Sequence, residues 1–420
     1  MTTVQQSFSD WLSQIEGFHP ATIDLSLSRI LPLARALDVC QFPATVVTVA
    51  GTNGKGSVVR TLEHLACHAG LKVAAYTSPH LDAFNERLCI NGQFSCDAQW
   101  VAAFERVNAA RLAQGVGLTF FEFTTLAALV ICRSQTLDVL ILEVGLGGRL
   151  DAVNVVDADV AVITSIALDH TDLLGDTREA IAYEKAGIIR DGATVVCGEP
   201  DPPVTLLDAI AERTARSYRQ GQDFRMFVDQ DHWTFYVGDQ IIWQGSAASL
   251  LAHNVSTALM VAYSLQWPWL DYKAKHLLTG LSLPGRFEWR DRPCSMVLDV
   301  AHNPQAITAL VHRLQALRPS YQSIMIIFGL LADKDVTACV ALLAPLVDQW
   351  HCVTLSNDRA ASAAALAAVV EQQAGEQAFQ YPTVTAALDQ VIAKATPDDL
   401  VLIVGSFYLV AEVRRYLSGH

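Results

Sequence analysis

Short runs of β-branched and aliphatic residues alternate with longer helical patterns along most of this chain, and that alternation constrains its fold more than any other feature. The runs "TVVTVA" (45–50), "KVAAY" (72–76), "DVLILEV" (138–144), "DVAVITS" (159–165) and "ATVVCG" (193–198) hold apolar residues consecutively rather than at every second position, with polar residues mostly at their ends. Strands of that kind are buried on both faces, and the helical patterns at 58–68, 122–134, 177–190 and 203–217 supply the cover. A parallel sheet follows. The stretch "FRMFVDQDHWTFYVGDQIIW" (224–243) instead alternates polar and apolar residues, which predicts antiparallel hairpins in a small sheet beside the main one.

The alternation pauses at "PGRFEWRDRP" (284–293), where two prolines enclose a glycine and a cluster of charges, and this reads as a linker. Beyond it "SMVLDV", "SIMIIFG", "WHCVTL" and "LVLIVGS" restart the pattern, with alanine-rich helices between them. The expected fold class is therefore α/β: a P-loop-type parallel-sheet domain with a small antiparallel addition over 1–285, then a second, doubly wound Rossmann-like α/β domain over 286–420. Length agrees, since 420 residues exceed the roughly 250–300 at which a single core stops growing. With 51% hydrophobic and 17% charged residues, against about 25% charged in ordinary domains, the chain has no disordered character. A net charge of −14 argues against a non-specific nucleic-acid or anionic-membrane binder. The nine cysteines are odd in number, form no CxxC pair or Cys/His metal spacing, and mostly sit in apolar runs, so free thiols in a reducing compartment are expected. The start "MTTVQQSFSDWLSQIEG" lacks the basic and apolar regions of a signal peptide. No apolar stretch reaches the ~20 residues that span a bilayer. A cytoplasmic protein is the expectation.

Three places carry chemistry. The first is strand–"GTNGKGS"–helix at 51–57, where a glycine-rich turn aims backbone N–H groups at phosphate oxygens and the helix N-terminus adds partial positive charge. Lys55 can reach β- and γ-phosphates, and Ser57 is placed beside a metal. The strict pattern GxxxxGK[ST] is not met, because position 49 is Val and Gly56 stands where Ser or Thr is usual. The second is a pair of strand ends. Glu143 closes one strand before "GLGGRLDAVN", and Asp169, His170 and Asp172 follow the next, all at the carboxyl edge where open α/β sheets bind ligands. A carboxylate and a histidine there suit Mg²⁺, which needs few protein ligands. The third lies in the second domain, where "LDVAHNPQA" puts Asp299 at a strand end and Asn303–Pro304 at a helix start. Loops at 299–303, 329–335 and 405–407 are expected on one rim, and two such edges imply a cleft that closes over its substrates. Lys185, in "AYEKAGII", reads from its local pattern as a solvated helix lysine beside Glu184.

"GTNGKGS", "TSPHL" (77–81), "EVGLGGRLDAVN", "SIALDHTDLLG", "YEKAGI", "LPGRFE" (283–288), "DVAHNP" and "GSFYLV" occur in that order over nearly the whole chain. Together they resemble the folylpolyglutamate synthase family of ADP-forming amide ligases, relatives of the Mur ligases, with the fit best in its bifunctional bacterial branch. The resemblance implies that ATP phosphorylates a folate-type carboxylate and that the amine of L-glutamate attacks the acyl phosphate. Gly54, Lys55, Gly56 and Ser57 then hold the triphosphate, while Asn254, Arg286 and Asp299 match contacts to base, phosphates and ribose, with His302 near the phosphates. Ser78, Glu143 and His170 match ligands of two Mg²⁺ ions. Lys185 matches a lysine carboxylated by CO₂ into a further metal ligand, which makes Lys55, His170 and Lys185 the implied catalytic set. The pterin pocket is implied at Asp24, Leu25, Ser26 and Leu27 in "TIDLSLSR", at Thr119, Phe120, Phe121 and Glu122, and at Leu150, Asp151 and Ala152. Phe120 or Phe121 could stack on the flat pterin, or either could belong to the core. The segment "TIDLSLSR" is what favours dihydropteroate, besides reduced folates, as substrate. A closing two-domain cleft suits a monomer, small-molecule partners alone are expected, and the resemblance implies a monovalent cation such as K⁺.

Three alternatives stand beside this reading. One is an enzyme that only extends folate tails. Another is a Mur-type ligase acting on a nucleotide-linked sugar peptide, which usually carries about 90–100 residues ahead of the P-loop, whereas 50 precede Gly51 here. The last is a nucleotide switch that hydrolyses ATP alone, which leaves the second domain without a task.

Overall fold

The computed structural model describes residues 6–18, 24–213, 216–229, 232–268 and 274–419. The chain divides into two compact units, Met1–Leu281 and Ser282–His420, a few residues ahead of the expected boundary at 285/286.

The first unit contains strands β1 Thr45–Ala50, β2 Val73–Tyr76, β3 Leu88–Ile90, β4 Gln93–Phe94, β5 Val139–Glu143, β6 Val160–Ile163, β7 Thr194–Cys197 and β8 Arg216–Arg219. They form one sheet in the order β4-β3-β2-β5-β1-β6-β7-β8. From β2 to β8 every pairing is parallel, and β3 and β4 add an antiparallel ribbon at one edge. The helices are α1 Phe8–Glu16, α2 Ile30–Ala36, α3 Lys55–His68, α4 Asp97–Gln114, α5 Phe120–Arg133, α6 Thr171–Leu174, α7 Arg178–Ala186, α8 Val204–Glu212 and α9 Ala252–Ser264. Strands β2, β5 and β6 are buried at every residue, as their unbroken apolar sequences require. A second sheet, β9 Phe224–Asp229, β10 His232–Val237 and β11 Gln240–Ser246, is the expected antiparallel addition, ordered β11-β10-β9.

The second unit is a six-stranded sheet of β12 Glu288–Arg290, β13 Met296–Asp299, β14 Ser323–Phe328, β15 Gln349–Val353, β16 Phe379–Tyr381 and β17 Asp399–Val404, in the order β12-β13-β17-β14-β15-β16. All neighbours are parallel except the β12–β13 pair. Its helices are α10 Pro304–Leu317, α11 Val336–Leu343, α12 Ala363–Ala374, α13 Val384–Lys394 and α14 Phe407–Leu417. Asn303 caps α10 by accepting the Ala306 N–H at 3.0 Å, with Pro304 at the first helical position, as read from "AHNPQA".

Three sequence expectations are corrected. The helical pattern at 203–217 ends at Glu212, and Arg216–Arg219 is the edge strand β8 (Thr214 and Ala215 lie outside the described residues). The pattern at 177–190 ends at Ala186, where Gly187 closes the helix. The charged stretch 284–293 is not a free linker, because Glu288–Arg290 pairs with Met296–Leu298 as an antiparallel edge strand. All nine cysteines are free, and Cys67 and Cys96 are exposed rather than buried. Among the described residues no helix is long and apolar enough to cross a membrane.

Candidate active site

Four neighbouring strands, β2, β5, β1 and β6, deliver the candidate residues of the first unit to one sheet edge. Their carboxyl ends lead to Ser78, Glu143, the loop 51–54, and the segment 164–170 respectively. The chain turns from one side of β1 to the other here, and the crevice at such a switch point is where open α/β sheets bind ligands.

The loop 51–57 is laced to the segment after β6. Thr52 N–H donates to Ser165 O (2.7 Å), Asn53 N–H to Ser165 Oγ (3.0 Å), and Thr164 Oγ1 donates to Asn53 O (2.6 Å). Gly54 caps α3 at φ +89°, and a Cβ there would stand 2.3 Å from Asn254 Oδ1, so glycine is required both by conformation and by space. Lys55 Nζ donates back to Gly51 O (2.9 Å) and Thr52 O (3.2 Å), the posture of a loop lysine folded over its own turn. Asn254 is buried on α9, and its Oδ1 has no hydrogen-bond partner.

Glu143 is buried at the end of β5, where its Oε2 accepts the Ser78 N–H at 3.1 Å. Ser78 thereby lies beside the carboxylate. His170 is exposed, with φ +51°, at the start of α6, and its N–H donates to Asp169 Oδ1 at 2.9 Å. Arg178 steadies this loop: Nε donates to Ile166 O (3.0 Å), and the guanidinium pairs with Glu199, which itself accepts Ile166 N–H (2.7 Å). Lys185, expected from its local pattern to be solvated, is only 4% exposed. Burial, reinforced by the Lys55 charge and opposed by Asp169 and Asp151, pulls its amine down to about 7. The loop after β5 locks this lysine in place. A Cβ on Gly148 would meet Glu184 O at 2.8 Å and Lys185 O at 3.0 Å, Arg149 N–H donates to Glu184 O (2.7 Å), and the Arg149 side chain pairs with Glu184 (2.7 Å).

The segments expected to hold a pterin also meet. Thr119 and Glu122 cap α5 reciprocally: Glu122 N–H donates to Thr119 Oγ1 (3.2 Å), and Thr119 N–H to Glu122 Oε2 (2.8 Å). Arg29 bridges Asp24 and Glu122. Leu25 and Leu27 pack against the main core, while Ser26 and Ser28 hydroxyls bond to each other at 2.7 Å; Thr22 and Ile23 lie outside the described residues. Phe121 is half-buried, packed under Gly145 and 6.4 Å from Tyr76, and Phe120 lies edge-on to Phe84. Ala152 is buried and Leu150 half-buried. Asp151 is 2% exposed and accepts N–H groups of Leu146 (2.9 Å) and Val153 (3.0 Å), so it shapes the loop after Glu143. Burial raises its carboxyl to about 6, opposed by those hydrogen bonds and by Lys55.

In the second unit, Asp299 ends β13 and accepts N–H groups of Phe287 (2.8 Å) and Ala301 (2.8 Å). Burial pushes its carboxyl up, against the pull of Arg286. The Arg286 guanidinium stands 5.4 Å from the Phe407 ring, and His302, bonded through Nδ1 to Val300 O (2.8 Å), stands 6.3 Å from that ring.

The family model for the Mur ligase middle domain matches residues 49–225, and that for the Mur ligase glutamate ligase domain matches residues 285–407. The dihydrofolate synthase/folylpolyglutamate synthase of Escherichia coli is 40% identical over 414 residues, covering 98% of this chain and 96% of that protein. Its counterpart from Haemophilus influenzae is 38% identical, covering 96% of each. The solved structure of E. coli FolC in complex with DHPP and ADP matches with a TM-score of 0.93 at 39% identity, covering 98% of both chains. A solved bifunctional folylpolyglutamate synthase/dihydrofolate synthase with Mn, AMPPNP and L-glutamate bound matches with a TM-score of 0.90 at 40% identity, again over 98% of both. The chain belongs to the dihydrofolate synthase/folylpolyglutamate synthase family. It is an ATP-dependent ligase of that family.

Within this family member, the edge of the first unit unites Gly54, Lys55, Ser57, Ser78, Glu143 and Asn254, with Lys185 buried within electrostatic reach of Lys55. Arg286, Asp299 and His302 form their own group in the second unit. Sequence reasoning missed Thr164 and Ser165, which hold the loop 51–57, and Arg178, which holds the loop of His170. "ITS" directly after a buried strand was a signal for the first two; Arg178 gave none.

Proposed function

We propose that this chain joins L-glutamate to two kinds of folate-type acid: dihydropteroate, giving dihydrofolate, and reduced folate glutamates, lengthening their tail. The γ-phosphoryl group of ATP passes to the carboxylate, releasing ADP, and the glutamate amine then displaces phosphate to leave an amide. What carries the reading is the convergence of a phosphate loop and a buried carboxylate on adjacent strand ends, with a buried lysine near the end of α7 in electrostatic reach of the loop, in a chain alike over nearly its whole length to relatives that carry both activities in their names.

The residues divide the work. Gly54, Gly56 and Ser57, at the start of α3, offer backbone N–H groups to the phosphates. Lys55 turns from its loop carbonyls onto the transferring phosphoryl oxygens and offsets their charge. Asn254 Oδ1, buried beside Gly54 without a donor, suits the amino edge of a base. By the family resemblance, Arg286 and Asp299 are assigned to the phosphates and the ribose hydroxyls, and His302 to the phosphates. A divalent cation fits the donors Ser78, Glu143 and His170, of which the hydroxyl and carboxylate oxygens favour Mg²⁺ and the imidazole adds one nitrogen. Bound there, Mg²⁺ (two ions in this reading) neutralises charge on the phosphates and aligns them with the acid. The family resemblance adds Lys185, carboxylated by CO₂, as a further ligand. An amine near pH 7 is half neutral and nucleophilic toward CO₂, and the resulting carbamate converts a cation beside Lys55 into an anion. Asp24–Leu27, Thr119–Glu122 and Leu150–Ala152 shape the pterin pocket. The proposed compartment is the cytoplasm, in keeping with nine free cysteines.

ADP release from ATP and Mg²⁺, with glutamate present and the acid varied, tests the reading. Release with both dihydropteroate and a reduced folate supports it. Release with the folate alone makes the chain a tail-extending enzyme, like the folylpolyglutamate synthase of Lacticaseibacillus casei, which is 34% identical over 93% of this chain. ATP hydrolysis indifferent to either acid overturns both.

A further inference from the structure

We infer that Arg29 is a positioning residue of the acid pocket, clamping the segment 24–28 to the start of α5 so that the two walls around the pterin keep a fixed spacing. The inference rests on the proposed reading, in which those segments hold the pterin.

Arg29 stands where the irregular segment enters α2. One terminal nitrogen pairs with Asp24, five residues back, and the other donates to Glu122 Oε1 at 2.8 Å, across 93 residues of sequence. Glu122 is buried, and its second oxygen already takes the Thr119 N–H of the α5 cap. One carboxylate therefore closes the first turn of α5 and receives the clamp. Arg29 Nε is buried without an acceptor, so the guanidinium is held through its two outer nitrogens. A planar fork can serve two separate carboxylates at once; an ammonium on a flexible stem meets that geometry poorly.

The clamp is not needed to anchor the helices. Ile30 and Leu33 of α2, and Phe123 and Leu126 of α5, are fully buried and hold their elements by apolar packing. What Arg29 adds is the placement of Asp24–Ser28 relative to Thr119–Phe121. Its loss leaves the segment held by Leu25 and Leu27 without its tie to α5, and leaves Glu122 buried without its cation.

The test uses full-length Arg29→Ala, Arg29→Lys and Glu122→Gln, with steady-state kinetics for dihydropteroate and, separately, for ATP. Glutamine still closes the α5 cap, so Glu122→Gln removes the ion pair and spares the helix start. The expected result is a KM for the acid raised about tenfold in Arg29→Ala and in Glu122→Gln, with the KM for ATP changed less than about twofold. Arg29→Lys recovers part of the loss, and the double variant is no worse than the worse single one. An unchanged acid KM, or acid and ATP KM rising together, overturns the inference. Should Arg29→Ala fail to fold, Arg29→Lys and Glu122→Gln decide by the same split. Failure of the underlying reading looks different, because wild-type protein then releases no ADP in response to either acid.

Discussion

Two lysines serve the first unit's sheet edge, and burial separates their chemistry. Lys55 is half-exposed with its ammonium on loop carbonyls, whereas Lys185 is buried with its amine drawn to about 7. Lys55→Ala should lower ADP release at least ~10³-fold with little change in melting temperature, since the bonds it makes to Gly51 O and Thr52 O are local to its own turn; retained turnover would remove it from the phosphate site. Lys185→Ala should lose activity by at least ~10²-fold, with partial recovery from added short carboxylic acids if a carbamate is the working form; normal rates would exclude it. In the second unit, His351 is fully buried between Phe379 and Tyr381, bonded to the Tyr381 hydroxyl at 3.1 Å with its Nε2 unpartnered. Burial, aided by Lys394, lowers its pKa to about 4. Between about 4 and 6.5 the unfolded chain thus holds a proton that the folded chain does not, so this group's contribution to stability falls as pH drops through that window. Urea midpoints at pH 7 and about pH 4.5 should therefore drop further in wild type than in His351→Gln, and equal drops would show that His351 does not titrate differently on folding.

At the scale of elements, the loop 145–151 and the end of α7 form one interlocked piece. Gly148 lies against the backbone of Glu184 and Lys185, and Gly187 against Arg149. Gly148→Ala should force these apart, destabilising by about 1–3 kcal/mol and reducing turnover through displacement of Lys185; unaltered stability would show that the loop yields. The sequence declared the elements that set the scaffold, because strands buried on both faces are apolar throughout and cannot be mistaken for surface segments. It marked β3 and β4 only through Asn91–Gly92, a two-residue hairpin turn between Ile90 and Gln93, and was silent on β12, a three-residue edge of mixed composition that carries no period. Motif residues on strand ends were legible from Gly, Lys and Glu after a buried run. Lys185 was not, because its burial comes from the β5 loop folding over α7 and nothing in "AYEKAGII" encodes that contact. Arg178 was likewise hidden, since it acts through loops distant in sequence, whereas Thr164 and Ser165 left a trace in the polar pair that closes a buried run.

Across the whole molecule, an acidic chain of net charge −14 handles anionic substrates by keeping its cations local. A nucleotide that binds only the folded state must stabilise it. ADP with Mg²⁺ at a hundredfold excess over its dissociation constant should add about 2.7 kcal/mol to the unfolding free energy, and Lys55→Ala should lose most of the corresponding thermal shift; an equal shift in the variant would place the nucleotide elsewhere. The segments bearing Ser78, Glu143, the phosphate loop and His170 leave four adjacent strands, β2, β5, β1 and β6. Neighbouring strands stand about 4.8 Å apart, a spacing set by backbone hydrogen bonds and untouched by side-chain exchange. The site therefore has a built-in ruler of about 14 Å across the three intervals. Side-chain substitution can retune its charge or its metal preference but cannot widen it. An engineer who wants a bulkier acid accepted must rebuild the loops above the edge.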